Sequence, residues 1–306
     1  MPLPPSRRVA LLTGASLTLL TGCGSSSDSP GGTSAPHRVA VVASTNVWGD
    51  IARRMGGDRV DVTSVIGDPD QNPHSYEADP RNQLALSQAK VVVENGGGYD
   101  DFVDHMLKSG HNDAAEVINA VDVSGRTAPE SGELNEHVWY DLPTVARVAD
   151  RISGALAKAD PDDAAAFEKN ATAFKAKLAP LEAQEARIKK AHGGDGIVVT
   201  EPVPLYMTEA SGLVNRTPAP FSEAIEEGDD VSPRVLRQCL ALFSDKRVKA
   251  LVYNEQTSGP QTEKAEAAAE AAGVPVVPVT ETLPKGEDYL RWMTANLDAL
   301  ASALNK

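Results

Sequence analysis

The sequence predicts an α/β fold of two parallel-sheet lobes joined by one long rigid helix, and three observations carry that expectation. Short β-branched runs alternate with amphipathic segments from His37 to about Asn119, and the same alternation resumes after Asp195. The interval between them contains helical patterns only. One of these, over residues 162–192, spans roughly 45 Å at the helical rise per residue, enough to cross a whole molecule.

The first lobe opens with "RVAVVAS", a buried strand, followed by "TNVWGDIARRM", a helix with Ser44 or Thr45 as its cap. "VDVTSVI" is a second strand. A stiff loop, "NPHSYEADP", then sets His74 between two prolines, and Asp79-Pro80 begins the next helix in the N-cap and first-turn order. "KVVVEN" is a strand, and the "GGG" at 96–98 reads as a tight turn into the helix "YDDFVDHMLKSG", which stops at glycine. No Gly-Lys-Ser/Thr follows those glycines, so they are not a phosphate loop. "AEVINAV" closes the series. Strands alternating with helices imply a parallel sheet covered on both faces.

In the middle, Val145, Val148, Ile152 and Leu156 keep helical spacing, as do Phe167, Ala171, Phe174, Leu178, Leu181 and Ile188. Pro180 lies inside the second pattern, where it removes one backbone donor and predicts a kink. "HGGDG" ends it. The second lobe then supplies "GIVVTE", "KALVYN" and "GVPVVPVTE" as strands, with "SPRVLRQCLALFSD", "GPQTEKAEAAAEAAG" and "EDYLRWMTANLDALASALN" as helices.

The N-terminus is of another kind. A basic start, "MPLPPSRR", precedes a 12-residue apolar run, "VALLTGASLTLL". A bilayer span needs about 20 residues, so this run has the layout of a secretory leader. Leu20-Thr21-Gly22-Cys23 resembles the bacterial lipobox, in which the cysteine is lipidated and becomes the mature N-terminus. The Ser/Gly/Pro stretch after it suits a tether. The organisation expected is thus a leader over 1–22, a tether over 23–36, an N-terminal lobe over 37–141, a helical connector over 142–194 and a C-terminal lobe over 195–306. Removing the leader takes away Arg7 and Arg8, which moves the net charge from −14 to −16. Such acidity excludes nucleic acid as a partner, because phosphates require a basic face. Cys239 then has no disulfide partner and reads as a buried thiol.

Ligands of parallel α/β sheets sit beyond the carboxyl ends of the strands. Glu201 follows "GIVVT" directly, Glu281 follows "VVPVT", and His74 lies a loop beyond "VTSVI". His137, in "NEHVWYDLP", stands just before the first middle helix. Two imidazoles and two carboxylates can satisfy a divalent cation and cancel its charge. Taken one at a time, each of these residues has an ordinary structural reading: a loop histidine on backbone, a packed cap, strand-end acids in ion pairs. Their joint placement favours a metal. His37, His105, His111 and His192 read as surface or capping residues. No nucleophile elbow and no Cys/His pair appears.

Over the whole mature chain the sequence resembles the zinc/manganese class of solute-binding lipoproteins that serve ABC importers. The resemblance rests on "NPHSYEADPRN", "NEHVWYDLPTV", "VVTEPVPLYMTEASGL", "VTETLPKGEDYLRWMTANLDAL" and the long middle helix. It implies one zinc or manganese ion held between the lobes by His74, His137, Glu201 and Glu281, with Glu255 in "YNEQ" competing for the fourth place. It also implies a monomer anchored through Cys23 at the outer face of the bacterial cytoplasmic membrane, delivering metal to a membrane permease without catalysing a reaction. Two departures bear on the metal: the stretch "SGRTAPESGELNEH" is short and acidic where many zinc importers carry a histidine-rich loop, and Glu201 stands where others have histidine. An oxygen-richer set suits manganese, yet zinc binds most N/O sites more tightly. A secreted metallohydrolase and a surface adhesin with a structural metal are the competing functions.

Overall fold

A computed structural model describes residues 38–68, 76, 79–129 and 133–306; Cys23, His37 and His74 lie outside the described residues. The first half runs Val39–Thr45 (β1), Asn46–Gly56 (α1), Val60–Ile66 (β2), Pro80–Gln88 (α2), Val91–Glu94 (β3), Phe102–Gly110 (α3), Glu116–Asn119 (β4) and Ala120–Ser124 (α4). Its strands pair in parallel in the order β2-β1-β3-β4, with Val41 beside both Val62 and Val91. Leu142–Ala159 (α5) and Ala164–His192 (α6) follow.

The second half repeats the plan with Gly196–Val199 (β5), Leu205–Ala210 (α7), Val214–Asn215 (β6), Ala219–Glu226 (α8), Pro233–Ser244 (α9), Ala250–Asn254 (β7), Pro260–Ala271 (α10), Val276–Val279 (β8) and Tyr289–Leu304 (α11). Its parallel order, β6-β5-β7-β8, matches that of the first sheet. The architecture is the two-lobed α/β fold that the alternation predicts.

The reason both sheets hold together lies in α6. Its periodic residues Phe167, Ala171, Phe174, Leu178, Leu181 and Ile188 are all buried, and the helix packs on α5, α1 and α11. One apolar cluster therefore runs from Val39 and Trp48 through these residues to Val199, Val252 and Leu300. The helix continues through Pro180 to His192. Buried polar links between the halves add to this core. Asn46 donates to Leu283 O at 2.8 Å and accepts from Leu283 N at 3.0 Å, Tyr140 Oη donates to Thr280 O at 2.7 Å, and Tyr289 Oη donates to Trp139 O at 2.7 Å.

Local chemistry explains most boundaries. Asp79 caps α2 by accepting from Arg81 N at 2.7 Å, with Pro80 in the first turn. Thr45 occupies the cap position of α1, but its hydroxyl makes no capping hydrogen bond, contrary to the sequence expectation. Gly110 does not provide the left-handed stop of α3; His111 does, at φ 52°. The triple glycine is the expected turn, with φ of 77°, 72° and 96° at Gly96, Gly97 and Gly98. A Cβ at Gly96 would fall 2.2 Å from the Asn119 side chain. Cys239 is buried among Phe221, Phe243 and Leu251, and burial pushes its thiol up to about 12, so it is an inert packing group.

Candidate metal site

The triple-glycine turn delivers the first component. Asp100 accepts from Asn95 N at 2.6 Å and from Gly96 N at 2.7 Å, which closes the turn and fixes the adjacent Tyr99. Tyr99 is buried and its hydroxyl donates to Glu281 Oε1 at 2.8 Å. Burial and the Glu281 charge hold the phenol well above its ordinary pKa, so it stays a donor. A side chain of the first half thus orients a carboxylate of the second.

His137 sits one residue before the buried single turn Val138–Tyr140 and is itself fully buried. Its ring meets Trp139 edge-on at 5.0 Å and Tyr99 at 6.0 Å. Asn135 Oδ1 accepts from His137 N at 3.1 Å and lies 2.7 Å from Nδ1, while Asn135 Nδ2 donates to Pro202 O at 3.0 Å. An amide oxygen can only accept, so Nδ1 carries a proton, and in the neutral form of the ring the lone pair lies at Nε2. A second-sphere acceptor that fixes tautomer and ring angle is what a ligating histidine requires.

Glu201 and Glu281 lie at the carboxyl ends of β5 and β8, where the sheet topology places ligands. Both are almost fully buried. Asn254, the last residue of β7, donates to Glu201 Oε2 and also hydrogen-bonds Glu281, and the Thr257 hydroxyl donates to Glu201. Gln256 Oε1 accepts from Glu281 N at 2.6 Å and Thr282 N at 2.9 Å, which pins the loop after β8. Desolvation raises Glu201 to about 7, with the Glu281 charge adding to it, against the hydrogen bonds from Thr257 and Asn254. Desolvation likewise raises Glu281 to about 7, against the bonds from Tyr99 and Asn254. Burial thus disfavours ionising these two carboxylates, a cost that a cation held between them would offset.

The competitor Glu255 begins the single turn after β7 and is exposed. It lines a separate pocket with Pro278, Trp292 and Asn296. The position at the end of β7 that faces Glu201 belongs to Asn254, not to a carboxylate.

One group was not legible in the sequence. Glu226, the last residue of α8, places Oε1 3.8 Å from His137 Nε2. Among the described residues, Glu136, His137 and Glu226 are the group whose ligand atoms all lie within 4.8 Å of one another. Desolvation raises Glu226 to about 9, and the charges of Glu136, Glu201 and Glu281 add to the shift. Together with Asn135 and Pro202, Glu136 and Glu226 line a cleft of ≈ 950 Å³.

Comparison with known proteins places these features in context. The family described as ZnuA, zinc-uptake complex component A, periplasmic, matches residues 41–303. The chain is 26% identical over 320 residues to the iron ABC transporter substrate-binding lipoprotein MtsA of Streptococcus pyogenes, covering 98% of this chain and 99% of that protein. It is 27% identical to the manganese-binding lipoprotein MntA of Bacillus subtilis, over 78% of this chain and 77% of the other. In fold it is similar to the periplasmic zinc binding protein TroA from Treponema pallidum, with TM-score 0.73 and 18% identity, over 87% of this chain and 99% of that one.

Proposed function

We propose that this chain, which belongs to the periplasmic zinc-uptake component family, captures one divalent transition metal, zinc or manganese, and hands it to the membrane permease of an ABC importer. The observation that carries the reading is a prepared donor set. Asn135 sets His137 to offer Nε2, and Tyr99 joins the His137 environment to Glu281, itself linked through Asn254 to Glu201. In this reading His74, on the loop "NPHSYEADP", is the second imidazole and Glu281 is the fourth ligand. Two carboxylates cancel the charge of the ion, which makes burial of the loaded site affordable. Four protein ligands leave little room for a reacting water, so the site suits capture and release better than hydrolysis.

The protein is a monomer in this reading, and Cys23 carries the acyl chains that hold it at the outer face of the membrane. Two chains are needed for stable anchoring. The residues expected to divide the labour are tested together by calorimetric titration with Zn²⁺ and with Mn²⁺. His74→Ala, His137→Ala and Glu281→Gln should each lower affinity strongly, while Glu255→Gln should leave it intact. A purified wild-type protein that binds neither ion would sink the function. A Glu255→Gln protein weaker than Glu281→Gln would reassign the fourth ligand.

A further inference from the structure

The resemblance that points to four ligands gives no role to α8, yet α8 ends with a carboxylate aimed at the site. Glu226 Oε1 stands 3.8 Å from His137 Nε2. That separation is too long for a hydrogen bond. It is the separation expected of two atoms sharing one cation: at bond lengths of about 2.1 Å, paired ligand atoms lie roughly 3.0 to 4.2 Å apart, from adjacent to opposite positions. In the neutral ring Nε2 is the lone-pair nitrogen, since Nδ1 is committed to Asn135. Glu226 Oε1 has no hydrogen-bond partner among the described residues although the atom is buried. Glu226 lines the same cleft as the neighbouring Glu223 and Glu227, but among the described residues it alone of the three joins His137 and Glu136 in a group of close ligand atoms.

Its placement follows from packing. Phe221, five residues earlier on α8, is fully buried in one cluster with Cys239 and Phe243, which fixes the rotation of this two-turn helix on the second sheet. Glu226 is therefore presented to the cleft by a packed element.

We propose that Glu226 is a metal-ligating residue of this site, and that its carboxylate biases the site toward a hard divalent cation such as Mn²⁺ over Zn²⁺. The proposal rests on the metal-capture reading above and deepens it. With Glu201, Glu226 and Glu281 the site offers three carboxylates. Oxygen donors suit manganese, while zinc gains more from imidazole and reaches full coordination with four ligands. Removing Glu226 therefore costs Mn²⁺ binding more than Zn²⁺ binding.

The test compares wild type, Glu226→Gln, Glu226→Asp and His137→Ala by calorimetric titration with Mn²⁺ alone and Zn²⁺ alone. X-ray absorption on the Mn²⁺-loaded proteins counts the light atoms around the ion. Glu226→Gln should lose about ten- to a hundredfold in Mn²⁺ affinity, as a lost metal-site interaction does, and clearly less in Zn²⁺ affinity, with one light-atom ligand fewer. Glu226→Asp keeps the charge but withdraws the carboxylate by a methylene, and it should lose Mn²⁺ affinity too. Wild-type affinity in Glu226→Asp would show that Glu226 acts only as a nearby charge, and the ligation would be overturned. So would an unchanged Mn²⁺/Zn²⁺ ratio and coordination number in Glu226→Gln. If either result came with weakened binding in His137→Ala, this proposal alone would fail. A wild type that binds neither ion would overturn the capture reading and this proposal together. Cooperative thermal unfolding of each metal-free protein establishes that the variants are folded.

Discussion

Lowering the pH should release metal from this protein much more steeply than its histidines alone would predict. A carboxyl must give up its proton to bind a cation, and burial holds both Glu201 and Glu281 at about 7. Both shifts are upward, so protonation competes with metal as the pH falls through neutrality, and affinity falls with it. Each carboxyl then contributes roughly a thirtyfold loss between about pH 8 and pH 5.5, and the two together a loss on the order of 10³. An imidazole of ordinary pKa adds roughly tenfold over the same interval, whereas a carboxyl near its ordinary value of about 4.3 adds almost nothing. The sequence alone suggests that Glu201→Gln leaves the mid-range pH dependence in place. The buried site reverses that expectation. Glu201→Gln should bind more weakly at high pH, and its plot of log affinity against pH should also be shallower by about one and a half decades over that range. Calorimetric titration in buffers of different ionisation enthalpy measures both the affinity and the protons released. Parallel plots for wild type and Glu201→Gln would refute the burial argument, because they would mean that the carboxyl is already ionised before metal arrives.

Asn135→Ala should lower metal affinity about ten- to a hundredfold by freeing the His137 ring, while Asn135→Asp, which keeps an acceptor on Nδ1, should bind nearly as well as wild type; competition titration separates them. Glu185 of α6 is buried and raised by desolvation to about 8, with Glu182 and Asp141 adding, so folding stability should decline as pH rises from the unfolded value of 4.5 through about 8. Glu185→Gln should therefore stabilise the protein by roughly 2 to 3 kcal/mol near pH 7 and by less than about 1 kcal/mol near pH 5, as read from urea melts. Small-angle scattering of metal-free and loaded protein should nearly superimpose, since one core joins the lobes; a large contraction on loading would count against that. Cys23→Ser should shift the protein from the membrane to the soluble fraction, as fractionation and blotting would detect.

How much of this was legible in the sequence depends on how far each feature relies on local pattern. The strands of both sheets are β-branched runs, and α6 shows its buried stripe at steps of three, four and seven. Glu201 and Glu281 were picked from the sequence because both follow strands directly, with Glu255 as the competitor of Glu281. What the sequence could not show is burial: β7 ends in a buried Asn254, Glu281 is buried and Glu255 is exposed. The segment "TPAPFSEAIEEGDD" hid α8, because two turns give too little periodicity to count. Phe221 and Ile225, four apart, were the one available signal. The raised carboxyls could not be foreseen at all, since desolvation is a property of the assembled lobes.

The single apolar core that α6 threads through both sheets has a consequence for how the molecule could be divided. A chain cut between residues 119 and 196 would leave each sheet with half of a shared interior. Neither Trp48 and Ile152 on one side nor Tyr289 and Leu300 on the other would keep its packing partners, so the halves would not behave as autonomous folding units. Cargo exit cannot then proceed by swinging two self-sufficient bodies apart. A local route is left, in which polar contacts between the halves such as Tyr99 to Glu281 are exchanged one at a time while the shared core stays packed. Whatever docks there would read the state of a few hydrogen bonds, not the angle between two blocks.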